Sequence, residues 1–342
     1  MNWTINVNRD QLWQLQDRVF PGFAASGERR VHGIQAPELP SHVQPEIDAG
    51  KISFYQGKVR DSLIFPRRIL MITSDRVSAF DRILDLVPLK GEVLNRISSW
   101  WFRQTEDIIP NHIISRPGGR SLEVRPAEVL PVEVVVRGFL TGSAWRDYLK
   151  GDAVSGISLP GGMKENQEFD EPLITPSTKA EIGDHDEPVS REEIIRRGLV
   201  EESLWNEVEA AAQKLYARGR ELAAARGLIL VDTKYEFGLV DGKLILVDEI
   251  HTPDSSRYWF SESYASDFQA GRAQKKLDKE YLRRWLMDQG FQGQGTPPEI
   301  PAAVKLELAW KYISAYQQIC GEEFEPDFSD IQAEYENIRS LM

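Results

Sequence analysis

The chain has 342 residues, 41% hydrophobic and 27% charged, with a formal net charge of -12 at pH 7. That length supplies core for two packed lobes or one large domain with additions. No apolar run approaches a membrane span, and an acidic balance without a long basic stripe argues against general nucleic-acid binding.

Residues 1–50 read as a peripheral extension: a short amphipathic helix near Asn8–Val19, then a Pro-rich extended connection, QAPELPSHVQPE. From Ile52 to about Val124 short strands and turns follow, FYQGKVRDSLIF and RRILMITSDRVSAF among them, interrupted by the helical pattern GEVLNRISSWWFRQ. LPVEVVVRGFL (130–140) predicts a β-branched strand at the junction of two lobes, and GSAWRDYLKG a short helix. Residues 152–188 are Gly/Pro-rich and polar and read as one long loop, functional or disordered. Ser190 with Glu193 forms a capping box, and further helix over Ser203–Arg226 stops at Gly227. Leu228–Tyr258 predicts a hairpin and a loop; beyond about 270 lie helices broken at Gly290–Pro298 and Gly321–Pro326. There is no internal repeat. Strands early and helices late favour an α+β fold. The expected division is a peripheral 1–50, a small β-rich lobe at 51–130 and a larger lobe with C-terminal helices at 131–342.

The single cysteine, Cys320, excludes an internal disulfide, fits a reducing compartment and falls in a helical pattern that predicts packing rather than reactivity. The N-terminus, MNWTINVNRDQLWQLQD, lacks a basic segment followed by an apolar core, so a cytoplasmic protein is expected.

The hairpin is the most informative stretch. On its first strand Asp232, Lys234 and Glu236 alternate with Val231, Thr233, Tyr235 and Phe237, so the charges share one face. A two-residue turn at Asp241-Gly242 pairs Glu236 with Val247 and sends Asp248 to the opposite face. An odd-length loop or a bulge shifts the register by one and brings Glu236 and Asp248 together. The odd-length loop is the expectation here, making two carboxylates beside a lysine into a hard-cation site suited to Mg²⁺ and phosphate oxygens. The alternative is an ordinary solvated strand face.

Among other motifs, a Walker phosphate loop, H-E-x-x-H, paired C-x-x-C and G-x-S-x-G do not occur, and the five histidines lack metal-ligand spacing. Tyr55–Asp61 places Lys58 and Arg60 two apart on a predicted strand after Gly57, so that two cations face one anion, or simply water. Thr73–Asp81 gathers hydroxyls and carboxylates at a strand end, for a site or for turn chemistry. Arg137–Ser143 ends a buried strand with an arginine that needs an anionic ligand or a partner such as Glu133. Thr175–Asp186 suits a substrate lid or a disordered loop. Arg257, after Asp254, offers a fork to a phosphate or carboxylate, or forms an Arg–Asp pair that stabilises the loop, or both.

Six stretches together, GKVRD, SDRVSAFD, VEVVVRGFLTGSAW, ITPSTKAEIGDHDE, LILVDTKYEFG and LVDEIHTPDSSRYW, closely resemble the SAICAR synthetase family of purine biosynthesis, in the family's order over roughly residues 55–285. TGSAW and PSTKAE resemble its longer form. The resemblance implies a kinase-like two-lobe arrangement whose small β-rich lobe covers the nucleotide. It implies ATP, L-aspartate and carboxyaminoimidazole ribonucleotide (CAIR) as small-molecule substrates, with Mg²⁺ as cofactor and neither nucleic acid nor membrane as partner. By position it assigns Lys58 and Arg60 to ATP phosphates, Leu130 and Val132 (in Leu130–Val134) to the adenine pocket, and Glu236 and Asp248 to the metal. Arg137, Ser143, Asp232, Lys234, Asp254 and Arg257 fall to the ribonucleotide, Lys179 to the reacting phosphate, and Asp75, Ser78 and Asp81 to the substrate side. Lys179, Asp232 and Lys234 form the catalytic set. A small-molecule kinase with a similar D-x-K strand, and a nucleotide-binding regulator that has lost turnover, are the competing readings.

Overall fold

The computed structural model describes residues 43–80, 82–179, 187–277 and 280–326; the helix expected near Asn8–Val19, Asp81 and most of the expected lid lie outside them. In chain order the elements are α1 (Gln44–Asp48), β1 (Ser53–Gln56), β2 (Arg60–Phe65), β3 (Arg68–Thr73), β4 (Arg76–Ala79), β5 (Arg82–Leu86) and α2 (Lys90–Thr105). Then come β6 (Ile113–Ser115), β7 (Ser121–Val124), β8 (Glu128–Phe139), α3 (Gly142–Lys150), β9 (Glu168–Thr178), α4 (Arg191–Arg196) and α5 (Glu202–Ala224). The chain continues through β10 (Leu228–Val240), β11 (Lys243–Val247), β12 (Ser256–Phe260), α6 (Ser261–Gln269), α7 (Glu280–Asp288) and α8 (Ala302–Cys320). Antiparallel sheets with helices make this an α+β fold, as the element order implied. Among the described residues no helix is long and apolar enough to cross a membrane.

The contacts form two compact units, and neither is a single run of sequence. One comprises, of the described residues, 43–99, Ile113–Pro126 and 280–326; the other comprises Trp100–His112 and Ala127–Leu277. The C-terminal helices α7 and α8 thus cluster with β1–β7. In the first unit the strands run β1-β2-β3-β7-β6, beside the pair β4-β5. Period-two alternation buries Leu63 and Phe65 of β2 with Leu70 and Ile72 of β3, against Val43 and Ile52. The ion pair of Lys305 with Asp85, at 2.6 Å, ties α8 to β5.

The second unit is built around β10. It pairs with β8 along one edge; along the other it pairs first with β12, then with β11. β9 continues the sheet beyond β8. This strand falls inside the stretch expected to be a loop. Pro172 and Pro176 hid it, since proline depresses strand propensity, yet on an edge strand a missing N–H costs no ladder bond. The capping box forms as expected: Ser190 Oγ accepts from the Glu193 N–H at 3.2 Å. Cys320 is buried in α8.

Candidate functional site

The hairpin turn is two residues long, with Asp241 and Gly242 at φ of 52° and 72°. Two positive φ angles make the type I′ geometry that follows the right-handed twist of paired strands. Glu236 therefore pairs with Val247, and the odd-length register expected from the sequence is corrected. Asp248 lies beyond the paired residues. Strand β11 ends at Val247, and Asp248 takes a left-handed backbone, φ 67°. The chain leaves the sheet here because β10 changes partner: β12 begins opposite Thr233, and Lys234 donates its backbone N–H to Ser255 O. The departing Asp248 stays close enough to Lys234 to raise that ammonium electrostatically.

The shared face of β10 carries two charge clusters. At one end Lys234 Nζ donates to Glu236 at 2.9 Å and to Glu133 of β8 at 2.6 Å, while Lys179 pairs with the other oxygen of Glu236. Glu133 and Glu236 are direct cross-strand partners. Two glutamates so placed repel, and the lysines offset that repulsion. Burial would raise the Glu236 carboxyl, but Lys234 and Lys179 outweigh it and bring it down to about 2. Burial would lower Lys234, but Glu236, Glu133 and Asp248 hold it above the ordinary lysine value. Lys179 is also held by its backbone, its N–H donating to Pro131 O in the stretch with buried Leu130 and Val132. Oxygen donors without sulfur or imidazole suit a hard cation.

At the other end Asp232 lies between two guanidiniums. Arg257 donates from Nε to Oδ1 at 2.8 Å and pairs again through Nη2; Arg137 Nη1 reaches Oδ2 at 3.5 Å. Arg137 also donates to Thr175 Oγ1 at 2.8 Å and to Ser143 Oγ at 3.2 Å. Burial lowers Arg137 from its ordinary value, with Asp232 opposing. Glu133 is not its partner: the two stand four residues apart on β8, about 13 Å along an extended strand. Arg257 does form an Arg–Asp pair, with Asp232 on the neighbouring strand. Gly142 opens α3 at φ 64°, and a Cβ there would stand 2.0 Å from Arg257 Nη1, so only glycine admits the guanidinium. Gly142 and Ser143 form the N-terminus of α3, a setting that favours anions. The bulge in β10 between Leu230 and Asp232 leaves carbonyls off the ladder, and the Tyr216 hydroxyl meets Leu230 O and Val231 O at 2.8 and 2.9 Å.

Lys58, Arg60, Asp75 and Ser78 belong to the first unit. Lys58 is not on a strand: residues 57–60 are a turn from β1 to β2, closed by the Gly57 N–H donating to Arg60 O at 2.8 Å. Asp75 is 1% exposed; Oδ1 accepts from Arg120 at 2.5 Å and from the Gly91 N–H at 2.9 Å. Ser78 is half-buried on β4, opposite Ile83. Asp254 lies in a turn where its N–H and that of Ser255 donate to Thr252 Oγ1 at 3.3 Å. Sequence reasoning gave Glu133 no part in the lysine cluster and missed Arg76 and Arg120. Period-two alternation puts Glu133 on the face of β8 that carries Arg137, but only the β8–β10 register sets it against the lysine cluster.

A family model described as SAICAR synthetase matches residues 53–299. The chain belongs to the SAICAR synthetase family. It is 47% identical over 280 residues to the phosphoribosylaminoimidazole-succinocarboxamide synthase of Bacteroides fragilis, covering 80% of this chain and 89% of that protein. The Legionella pneumophila synthase is 44% identical over 277 residues, 79% and 88% of the two chains. Among solved structures, SAICAR synthase from Saccharomyces cerevisiae complexed with SAICAR superposes with a TM-score of 0.73 at 35% identity, over 81% of this chain and 97% of that one. A SAICAR synthetase in complex with ADP gives 0.61 at 26% identity, over 80% and 100%. The protein is thus an enzyme, a ligase of purine biosynthesis, and the family reading prevails over the kinase and the inactive regulator.

Proposed function

We propose that this ligase joins L-aspartate to the carboxylate of CAIR, with ATP as co-substrate, giving SAICAR, ADP and phosphate. The observation that carries the reading is one strand face bearing an arginine cradle at Asp232 and a lysine–carboxylate cluster four residues further on. A carboxylate is a poor electrophile, so phosphoryl transfer from ATP first converts it to an acyl phosphate; the neutral amine of aspartate attacks and phosphate leaves. Such transfer needs positioning and charge neutralisation more than covalent help.

Arg137, Arg257 and Ser143, at the start of α3, bind the ribonucleotide's anionic groups, and Asp254 and Ser78 contribute from the substrate side. Asp75 acts through Arg120, and Asp81 falls outside the described residues. With Asp232 engaged by two guanidiniums, its part is to orient them; a phosphate oxygen takes the amine's proton. Lys179 and Lys234 offset charge on the transferring group. Lys58 and Arg60 bind ATP phosphates and Leu130–Val134 lines the adenine. Glu236 and Asp248 would hold Mg²⁺, which supplies neutralisation of the phosphates. Their fit rests on a carboxyl that stays ionised in a partly buried oxygen-donor site. The proposed compartment is the cytoplasm, with neither nucleic acid nor membrane as partner.

The test is ADP release by the purified chain with Mg-ATP and CAIR, with and without L-aspartate. ADP formed only with aspartate, matched by SAICAR, supports the reading. Rapid turnover to a stable phosphorylated product without aspartate would replace the ligase with a kinase.

A further inference from the structure

The turn between β1 and β2 has each of its four carbonyls engaged. Gly57 O accepts from Arg76 Nη2 at 2.9 Å and Lys58 O from Arg76 Nε at 3.3 Å. Val59 O accepts from the Ser74 N–H at 2.8 Å and hydroxyl at 2.7 Å, and Arg60 O from the Gly57 N–H at 2.8 Å. A Cβ at Gly57 would stand 2.7 Å from Arg60 O, so the closure needs glycine. Arg76 is anchored in turn by Asp61, which accepts from Nη1 at 3.0 Å and Nη2 at 2.7 Å; Arg76 is 6% exposed and Asp61 1%. A planar trans peptide sets C=O opposite the following N–H. Drawing the carbonyls of 57–59 towards Arg76 and Ser74 therefore turns the positive ends of those peptide dipoles the other way, beside Lys58.

We propose that Arg76 is a positioning residue for the nucleotide: its buried fork sets the 57–60 turn so that Lys58 and the peptide dipoles meet ATP phosphate together. The inference rests on the assignment of Lys58 to those phosphates. Lysine cannot replace this arginine, because an ammonium lacks the planar fork that serves Asp61, Gly57 O and Lys58 O at once.

The test is a double-mutant cycle on the full chain with R76K, K58A and R76K/K58A, reading KM for ATP and for CAIR separately. R76K is expected to raise KM for ATP about tenfold, the loss of charge-assisted bonds, and to leave KM for CAIR within about twofold. In the K58A background R76K is expected to add less than about twofold, because its effect passes through Lys58. Equal increments in both backgrounds, or equal rises for both substrates, would show a structural role and overturn the proposal. K58A with unchanged KM for ATP would remove the Lys58 assignment itself and the proposal with it. If R76K does not fold, S74A, losing one donor to Val59 O, is expected to raise KM for ATP about threefold with the same non-additivity; an unchanged KM then overturns it.

Discussion

The two clusters on β10 use the same ingredients in opposite proportion. Around Asp232 one carboxylate serves two guanidiniums, so cation is in excess and an anion is the natural visitor. Around Glu236 two lysines meet Glu133 and Glu236, and Asp248 acts on Lys234 electrostatically, so negative charge is in excess. The centres are four residues apart, about 13 Å along the strand. In the proposed reaction, that separation would let one face bind a ribonucleotide's anionic end and a metal-bound nucleotide without either cluster neutralising the other. Arginine and lysine divide accordingly: the planar forks hold Asp232 in fixed geometry, and the flexible ammoniums sit among the glutamates.

This contrast can be broken by mutation, and the largest effect is expected at the carboxylate-rich end. Glu236→Ala should lower kcat about 1000-fold, the upper range for a lost electrostatic element, with the fold retained by circular dichroism. Unchanged Mg²⁺-dependent turnover would remove the metal assignment. At the cation-rich end, Arg257→Ala should raise KM for CAIR about 10- to 100-fold, the loss of charge-assisted bonds, with little change for ATP; isothermal titration separates the two ligands. The reverse pattern would move Arg257 to the nucleotide side.

Acid sharpens the comparison through stability. The Glu236 carboxyl is lowered from 4.5 to about 2 in the folded chain, so its contribution is complete above 4.5 and is lost as pH falls towards 2. His251, buried behind the sheet with Nε2 at 2.5 Å from the Tyr235 hydroxyl, is lowered from 6.5 to about 3 by burial. The unfolded state takes up that proton first, so stability falls with pH from 6.5 down to about 3. Urea unfolding from pH 8 to 3 should show Glu236→Gln flattening the acidic end and His251→Gln flattening the loss below 6.5. Variants with the wild-type slope would contradict both environments. The smallest effect is expected at the turn that sets the register: Gly242→Ala, at φ 72°, should cost roughly 1 kcal/mol in the same assay, the strain of a side chain in that region.

Much of this was legible in the linear chain, because it depends on short-range rules. Period-two alternation put Asp232, Lys234 and Glu236 on one face; the Ser190–Glu193 capping box marked a helix start; the clustered motifs carried the family. What those charges face was not legible, since cross-strand neighbours depend on register. Glu133 reaches Lys234 because β8 pairs with β10 at Glu236, and no spacing within either segment announces that. Strand β9 escaped because its prolines are acceptable only on an edge, and an edge exists only in a finished sheet. Asp248 leaves the strand with a left-handed backbone where β10 exchanges β11 for β12, a turn imposed by tertiary pairing. The linear chain determined which chemical groups are present and which share a strand face, because covalent geometry enforces both. Which carboxylate meets which cation was decided only when strands from distant segments came into register.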